Sequence, residues 1–239
     1  AAAAAAAAAQ TSESEKAVRA ARSALGKTNG QHTISGNVTM NSEDLPRSGL
    51  YCARNSAIVV PSGASLTLVG SRSKPFLMRS TRASGRTLWN GIQVQEGGSV
   101  NLTNVELQNA SVTVTNPNSA TLKNVFVSDT SDVAFQFTNC GSGRVSANGL
   151  FSYETSTARP DLGCIAVTNS RDLHLSNVFC LNPGRSKVLV GINNSDITVR
   201  RIAQVGIAEA TTDWSNVFGF GANDTSTLIV AQNDVNTLS

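Results

Sequence analysis

Charged and aromatic side chains are scarce in this 239-residue chain: 15% of residues are charged and 5% aromatic, with only 6 Pro, 4 Cys and 2 His. Each scarcity excludes something. Nineteen Lys and Arg against 16 Asp and Glu leave a net charge of +3, too weak a field to point to nucleic acid. The two histidines, His32 and His174, stand far apart, and no Cys-x-x-Cys or other zinc spacing accompanies them, so no metal site is expected. A phosphate-cradling glycine loop and a Gly-x-Ser-x-Gly elbow are both missing, and no cofactor is expected. No apolar run approaches the roughly 18–20 residues of a membrane helix. What is plentiful is a background of Ser, Thr and Asn through which hydrophobic residues, 40% of the chain, recur from end to end. That composition describes a folded chain rather than a disordered one. The length suits one all-β domain better than two.

Residues 1–11, nine of them an unbroken alanine run, carry no functional signal. Ser12 followed by Glu15 reads as a capping box that starts a helix. Val18, Ala21 and Leu25 then recur at helical spacing, and Gly26 closes the element. The helix over 12–26 is too short to hold itself together in water, so it is expected to dock on the rest of the chain as a cap.

From residue 50 onward the chain repeats itself. One block ends in Asn: VTVTN at 112–116, FQFTN at 135–139, IAVTN at 165–169 and VGINN at 190–194, with 51–55 and 92–96 fitting more loosely. A second block follows each time: LTNVEL at 102–107, LKNVFV at 122–127, SANGLF at 146–151 (a weaker copy) and LSNVFC at 175–180. Gly70 and Arg201 hold the same slot at the two ends. Successive slots from Asn104 lie 20, 24, 29 and 24 residues apart, and those from Glu96 lie 20, 23, 30 and 25 apart. Two registers sharing one varying period mean a solenoid. Apolar residues alternate with period two inside each block, so the repeats are strands. The solenoid is expected over 33–232, with a short tail at 233–239.

These blocks, with WNGI at 89–92 and GGSVNLTNV at 97–105, resemble the right-handed parallel β-helix of the pectate-lyase-like superfamily. The resemblance implies the fold, all-β with a short N-terminal amphipathic helix. It implies stacked asparagine ladders at Asn104, Asn124, Asn148 and Asn177 and at Asn116, Asn139, Asn169 and Asn194. Asn suits such bends because its side chain tolerates unusual backbone and bonds neighbouring peptide groups.

The repeats vary at 71–90, 152–163, 181–187 and 207–216, and insertions at one slot emerge on one face. The first of these holds Arg72, Lys74, Arg79, Arg82 and Arg86 with no acidic residue, which suits an acidic polysaccharide or protein partner. Trp89 and Trp214 each precede a first strand, where a tryptophan either covers the core edge or stacks on a sugar ring. Lyases and hydrolases of the resembling family work with clustered carboxylates on the outer face of one sheet, where one group must transfer a proton while another stays charged. The outward first-strand positions here are Gln93, Gln95, Thr113, Thr115, Gln136, Thr138, Ala166, Thr168 and Gly191, and none is ionisable. Asp129 and Asp132 fall at a short bend that turn chemistry explains. Four cysteines allow three full pairings. Cys164 begins a first strand and Cys180 ends the third strand of the same coil, so a disulfide between them is geometrically reasonable. Four small buried hydrophobes is the plainer reading.

The expectation is therefore a non-catalytic, structural or adhesive subunit of an extracellular, virion or organelle-lumen assembly. The C-terminal coil would be covered by another subunit, a continuation or a partner protein, because a polar tail cannot bury a full coil. The alternative is a carbohydrate-active enzyme using loop-borne Glu154, Asp161 and Asp213 or a neighbouring subunit's carboxylates.

Overall fold

A computed structural model of the chain describes residues 2–80, 88–130, 133–141, 144–153, 163–171, 173–181, 187–192, 196–205, 218–220 and 227–230. Among the described residues, one α-helix, α1 (Ala2–Leu25), precedes eighteen strands, with a single 3-10 turn at Ser42–Asp44. They are β1 (Gln31–Thr33), β2 (Asn37–Asn41), β3 (Leu50–Cys52), β4 (Ala57–Val60), β5 (Ser65–Val69), β6 (Phe76–Ser80), β7 (Ile92–Val94), β8 (Ser99–Gln108), β9 (Val112–Thr115), β10 (Ser119–Ser128), β11 (Phe135–Thr138), β12 (Val145–Tyr153), β13 (Gly163–Thr168), β14 (Leu173–Leu181), β15 (Lys187–Ile192), β16 (Asp196–Val205), β17 (Phe218–Phe220) and β18 (Thr227–Val230).

Every strand pair among the described residues is parallel. From β7 onward the strands alternate between two sheets, ordered β1-β4-β7-β9-β11-β13-β15-β17 and β2-β5-β8-β10-β12-β14-β16-β18. Consecutive strands thus never pair with each other, and each pairs with the strand one coil away. The chain is an all-β parallel solenoid with one helix. Registers are unbroken along the stack: Leu66, Val100, Ala120, Val145, Leu173 and Ile197 face one another coil after coil, all buried. Ile58, Ile92, Val112, Phe135 and Ile165 do the same in the first sheet. Each such side chain is fully sealed only when the next coil lies on it, at about 1.5–3 kcal/mol per Val, Leu, Ile or Phe.

The bends are built from asparagine in left-handed backbone, where a Cβ-bearing residue otherwise pays about 1–2 kcal/mol. Asn104 (φ 52°), Asn124 (φ 53°) and Asn177 (φ 53°) bend the long strands of the second sheet in mid-course. Asn116, Asn139 and Asn169 end first-sheet strands. A third corner, unforeseen from the repeat, carries Asn29, Asn55, Asn109 and Asp129, all with φ between 56° and 61° or, for Asp129, 55°. The sequence register slips in one place. Gly149 (φ 80°), not Asn148, stands at the corner opposite Asn124, since Lys123 pairs with Asn148 and Val125 with Leu150. A Cβ on Gly149 would meet Asn124 Oδ1 at 2.6 Å, so glycine fits where a second Asn would crowd the first.

Three further expectations are corrected. The helix begins at Ala2 rather than Ser12, because alanine is the best helix former and nothing breaks the helix at the capping-box sequence. Ser14 is buried instead, donating to Asp44 Oδ2 and accepting from the Asn41 amide at 3.0 Å, which ties α1 to the first coil. Val18, Ala21 and Leu25 are buried against that coil, and the Leu25 carbonyl accepts from the Ala53 amide at 2.7 Å. Residues 51–55 are not a first-sheet strand: β3 pairs with β6 beside the second sheet, and Ala57–Val60 takes the first-sheet slot. The segment 71–90 is not wholly a loop, since β6 lies within it.

Candidate functional site

The outer face of the first sheet carries a shallow groove of about 160 Å³ lined by Leu88, Trp89, Asn90, Gln93, Ser111, Thr113, Thr130 and Gln136. Strand alternation builds it: Gln93, Thr113 and Gln136 are the outward residues of β7, β9 and β11 and stand directly in register. Stacked strands lie about 4.7–4.9 Å apart, so these side chains present an amide, a hydroxyl and an amide at a regular short repeat. Asn90, Ser111 and Thr130 form the rim at the entry to the same strands. The side-chain amides of Gln93 and Gln136 form no hydrogen bond to the described residues, whereas Asn90 Nδ2 donates to the Asn55 carbonyl at 3.0 Å.

Among the described residues, no lining side chain of the groove is ionisable. Proton transfer needs a titratable group near the reacting bond, so this lining can hydrogen-bond and orient a ligand but cannot act as acid or base. The groove is also smaller than the roughly 300–1,000 Å³ of enclosed small-molecule sites, which suits contact with one stretch of an extended chain.

Trp89 offers no stacking platform. It is 2% exposed, and its indole Nε1 donates to the Gln108 carbonyl at 2.9 Å, so it seals the core edge beneath the groove. Two members of the basic cluster have partners on neighbouring strands or turns. Lys74 Nζ reaches Glu43 Oε2 at 3.4 Å. Arg79 lies on β6 with its guanidinium 4.8 Å above the Tyr51 ring and donates to Tyr51 Oη at 2.9 Å. Arg72 is exposed. Arg82, Arg86, Trp214, Asn194, Asp132 and the carboxylates Glu154, Asp161 and Asp213 lie outside the described residues.

Among the ladder residues, Asn124 Nδ2 donates to Asn104 Oδ1 at 3.0 Å, and Asn104 Nδ2 to the Gly70 carbonyl at 2.8 Å. Asn169 bonds Asn139 and Asn177 bonds Asn148, both at 2.7 Å. Asn116 departs from a pure ladder: its Nδ2 reaches Glu96 and its Oδ1 accepts from Arg144 at 3.1 Å. His174 is exposed on β14. His32 is half-buried, and desolvation holds its pKa below the ordinary 6.5. All four cysteines are free and buried. Burial pushes the Cys52 thiol far up and the Cys140 thiol up to about 11. No group of three or more His, Cys, Asp or Glu among the described residues could hold a metal ion, and no described helix is long and apolar enough to cross a membrane.

One surface escaped the repeat analysis. Phe126, Phe151 and Phe179 occupy one outward register of the second sheet in successive coils, all half-buried, with the last two ring centroids 6.4 Å apart. The signal was present, because each phenylalanine stands two residues after the corner Asn or Gly.

No family model and no curated protein sequence matches the chain. Among solved structures it is similar to an alginate lyase from Paenibacillus sp. str. FPU-7, at 11% identity and a TM-score of 0.28, with 86% of this chain and 99% of that one covered. Neither residues nor reaction carry over at that distance.

Proposed function

We propose that this chain is a right-handed parallel β-helix of pectate-lyase-like type that binds a polysaccharide without cleaving it, as a structural or adhesive part of a larger assembly. The observation behind this reading is the groove over β7, β9 and β11. Its Gln93 and Gln136 amides have no partner among the described residues, and none of its described lining side chains is ionisable. Such a row of donors and acceptors matches sugar hydroxyls, whereas a charged ligand would need a counter-charge. The handedness follows the near-universal rule for parallel crossovers. The second reading is a carbohydrate-active enzyme whose carboxylates, Glu154, Asp161 or Asp213, come from the long connections.

Binding of neutral and acidic polysaccharides, measured with the full chain at two salt concentrations, tests the proposal beside an assay for reducing-end or unsaturated products. Salt-insensitive binding without product, weakened at least tenfold in Gln93→Ala/Gln136→Ala, is expected. Product release would establish the second reading. Binding unaffected by the double variant would remove the groove from either.

A further inference from the structure

The four buried thiols are not equivalent. Cys140 Sγ already donates to two backbone carbonyls, those of Val114 at 3.7 Å and Thr138 at 3.6 Å. Cys52 stacks in register on Ser80, on the other side of several coils. Cys164, near the start of β13, and Cys180, near the end of β14, belong to one coil, lie in the same core cluster at 0% and 1% exposure, and interact through their side chains. The coil beneath leaves room for their sulfurs. Ala134 stands under Cys164, its amide donating to the Cys164 carbonyl at 3.0 Å, and Ser152 stands under Cys180. At this level of the stack the positions flanking the coil closure are thus small, small, and then a facing thiol pair.

We propose that Cys164 and Cys180 are a disulfide-forming pair that closes their coil covalently from the end of its second-sheet strand to the start of its first-sheet strand. The oxidant is an external disulfide, such as oxidised glutathione. One cysteine thiolate attacks it, releasing one glutathione thiolate and leaving a mixed disulfide. The other thiolate then displaces the second glutathione, so two protons and two electrons leave the pair and one disulfide is reduced to two thiols. Burial in the folded core holds the Cys180 thiol protonated, which makes the chain before complete folding the reactive form. The loop closed is only 17 residues long, counting both cysteines, so the bond constrains one coil and leaves its neighbours free.

Refolding of the full chain in a reduced and oxidised glutathione mixture, followed by alkylation in denaturant and peptide mapping, tests this. The wild type should retain two alkylatable thiols of its four, with a peptide linking Cys164 to Cys180. C164S and C180S should each retain three. The C52S/C140S variant, which keeps only the pair, should retain none and should melt at a lower temperature once reductant is added. Four alkylatable thiols in refolded wild type, two in C52S/C140S, or a bridge containing Cys52 or Cys140 would overturn the assignment.

Discussion

Asn124 stabilises the solenoid twice, and the two contributions can be separated by substitution. Its side chain is partly buried and donates to Asn104 Oδ1 at 3.0 Å, a bond with a net contribution of about 1 kcal/mol. Its backbone sits at φ 53°, which costs an alanine about 1–2 kcal/mol. Asn124→Ala forfeits both, about 2–3 kcal/mol together. Asn124→Gly forfeits the bond but keeps the backbone, adding only the extra freedom of glycine in the unfolded chain, about 0.4–1 kcal/mol. Alanine should therefore be the worse substitution by roughly 0.5–1 kcal/mol, although it is usually the milder one in strands and helices. Differential scanning calorimetry reads this directly, at about 2–4 °C per kcal/mol for a chain of this size. Lys123→Ala, at the exposed neighbouring position, is the control and should move stability by no more than about 0.5 kcal/mol. If glycine proves as damaging as alanine, or worse, the left-handed corner is not what selects asparagine and the account of the ladder fails.

Three further outcomes follow from the same packing. Trp89→Phe should cost about 1 kcal/mol for the lost indole bond to Gln108, and Trp89→Ala about 3–5, read from urea midpoints; a neutral Trp89→Ala would mean the ring is not sealed. Phe137→Ala, buried in the first sheet, should cost about 3–5 kcal/mol, while Phe151→Ala on the outer face should cost clearly less; equal losses would contradict the in–out assignment. His32 is held neutral by burial, so its pKa is below the unfolded 6.5 and its contribution to stability is complete above that pH. As pH falls from 6.5 through the folded pKa, the unfolded state binds the proton first and stability is lost. His32→Gln should flatten that slope in melting curves, and an unchanged slope would exclude His32 as its source.

Much of this architecture could be read from the chain because a solenoid writes its structure locally. The spacing of VTVTN and LKNVFV is the coil length, and their alternating side chains are the in–out pattern, so no long-range pairing had to be guessed. Legibility failed where one residue type was trusted as the marker. Asn148 drew the register one place off because Gly149 does the same backbone work with no side chain to see. Leu50–Cys52 looked like a first-sheet strand because its pairing partner, β6, hides in a segment whose arginines read as loop. The third corner was missed because Asn29, Asn109 and Asp129 fall outside the two blocks and Asn55 was assigned to the wrong one of the corners. The outward glutamines were visible by alternation, but neither their lack of partners nor the closing of Trp89 beneath them can be inferred without neighbouring coils.

The position of the groove itself has a local cause. It spans β7, β9 and β11, and the connections entering the last two are short: three residues between β8 and β9, six between β10 and β11. The next entry, between β12 and β13, takes nine. A connection of three residues can turn a corner but cannot reach back over a sheet, whereas a longer one can. The outer face is uncovered over β9 and β11, where the outward residues are Thr113 and Gln136, and also over β7 with Gln93, which follows an eleven-residue connection. One coil on from Gln136, the same outward register holds Ala166, which is buried at 6% exposure and clusters with Val133 rather than facing solvent. The residue packed on that alanine is Val133, from the six-residue β10–β11 connection, so cover there comes from the preceding coil. Cover of this face thus depends on which side chain a connection lays on it, and extending the 109–111 connection with an apolar residue that packs over Thr113, as Val133 packs on Ala166, should close the groove without disturbing the core columns behind it.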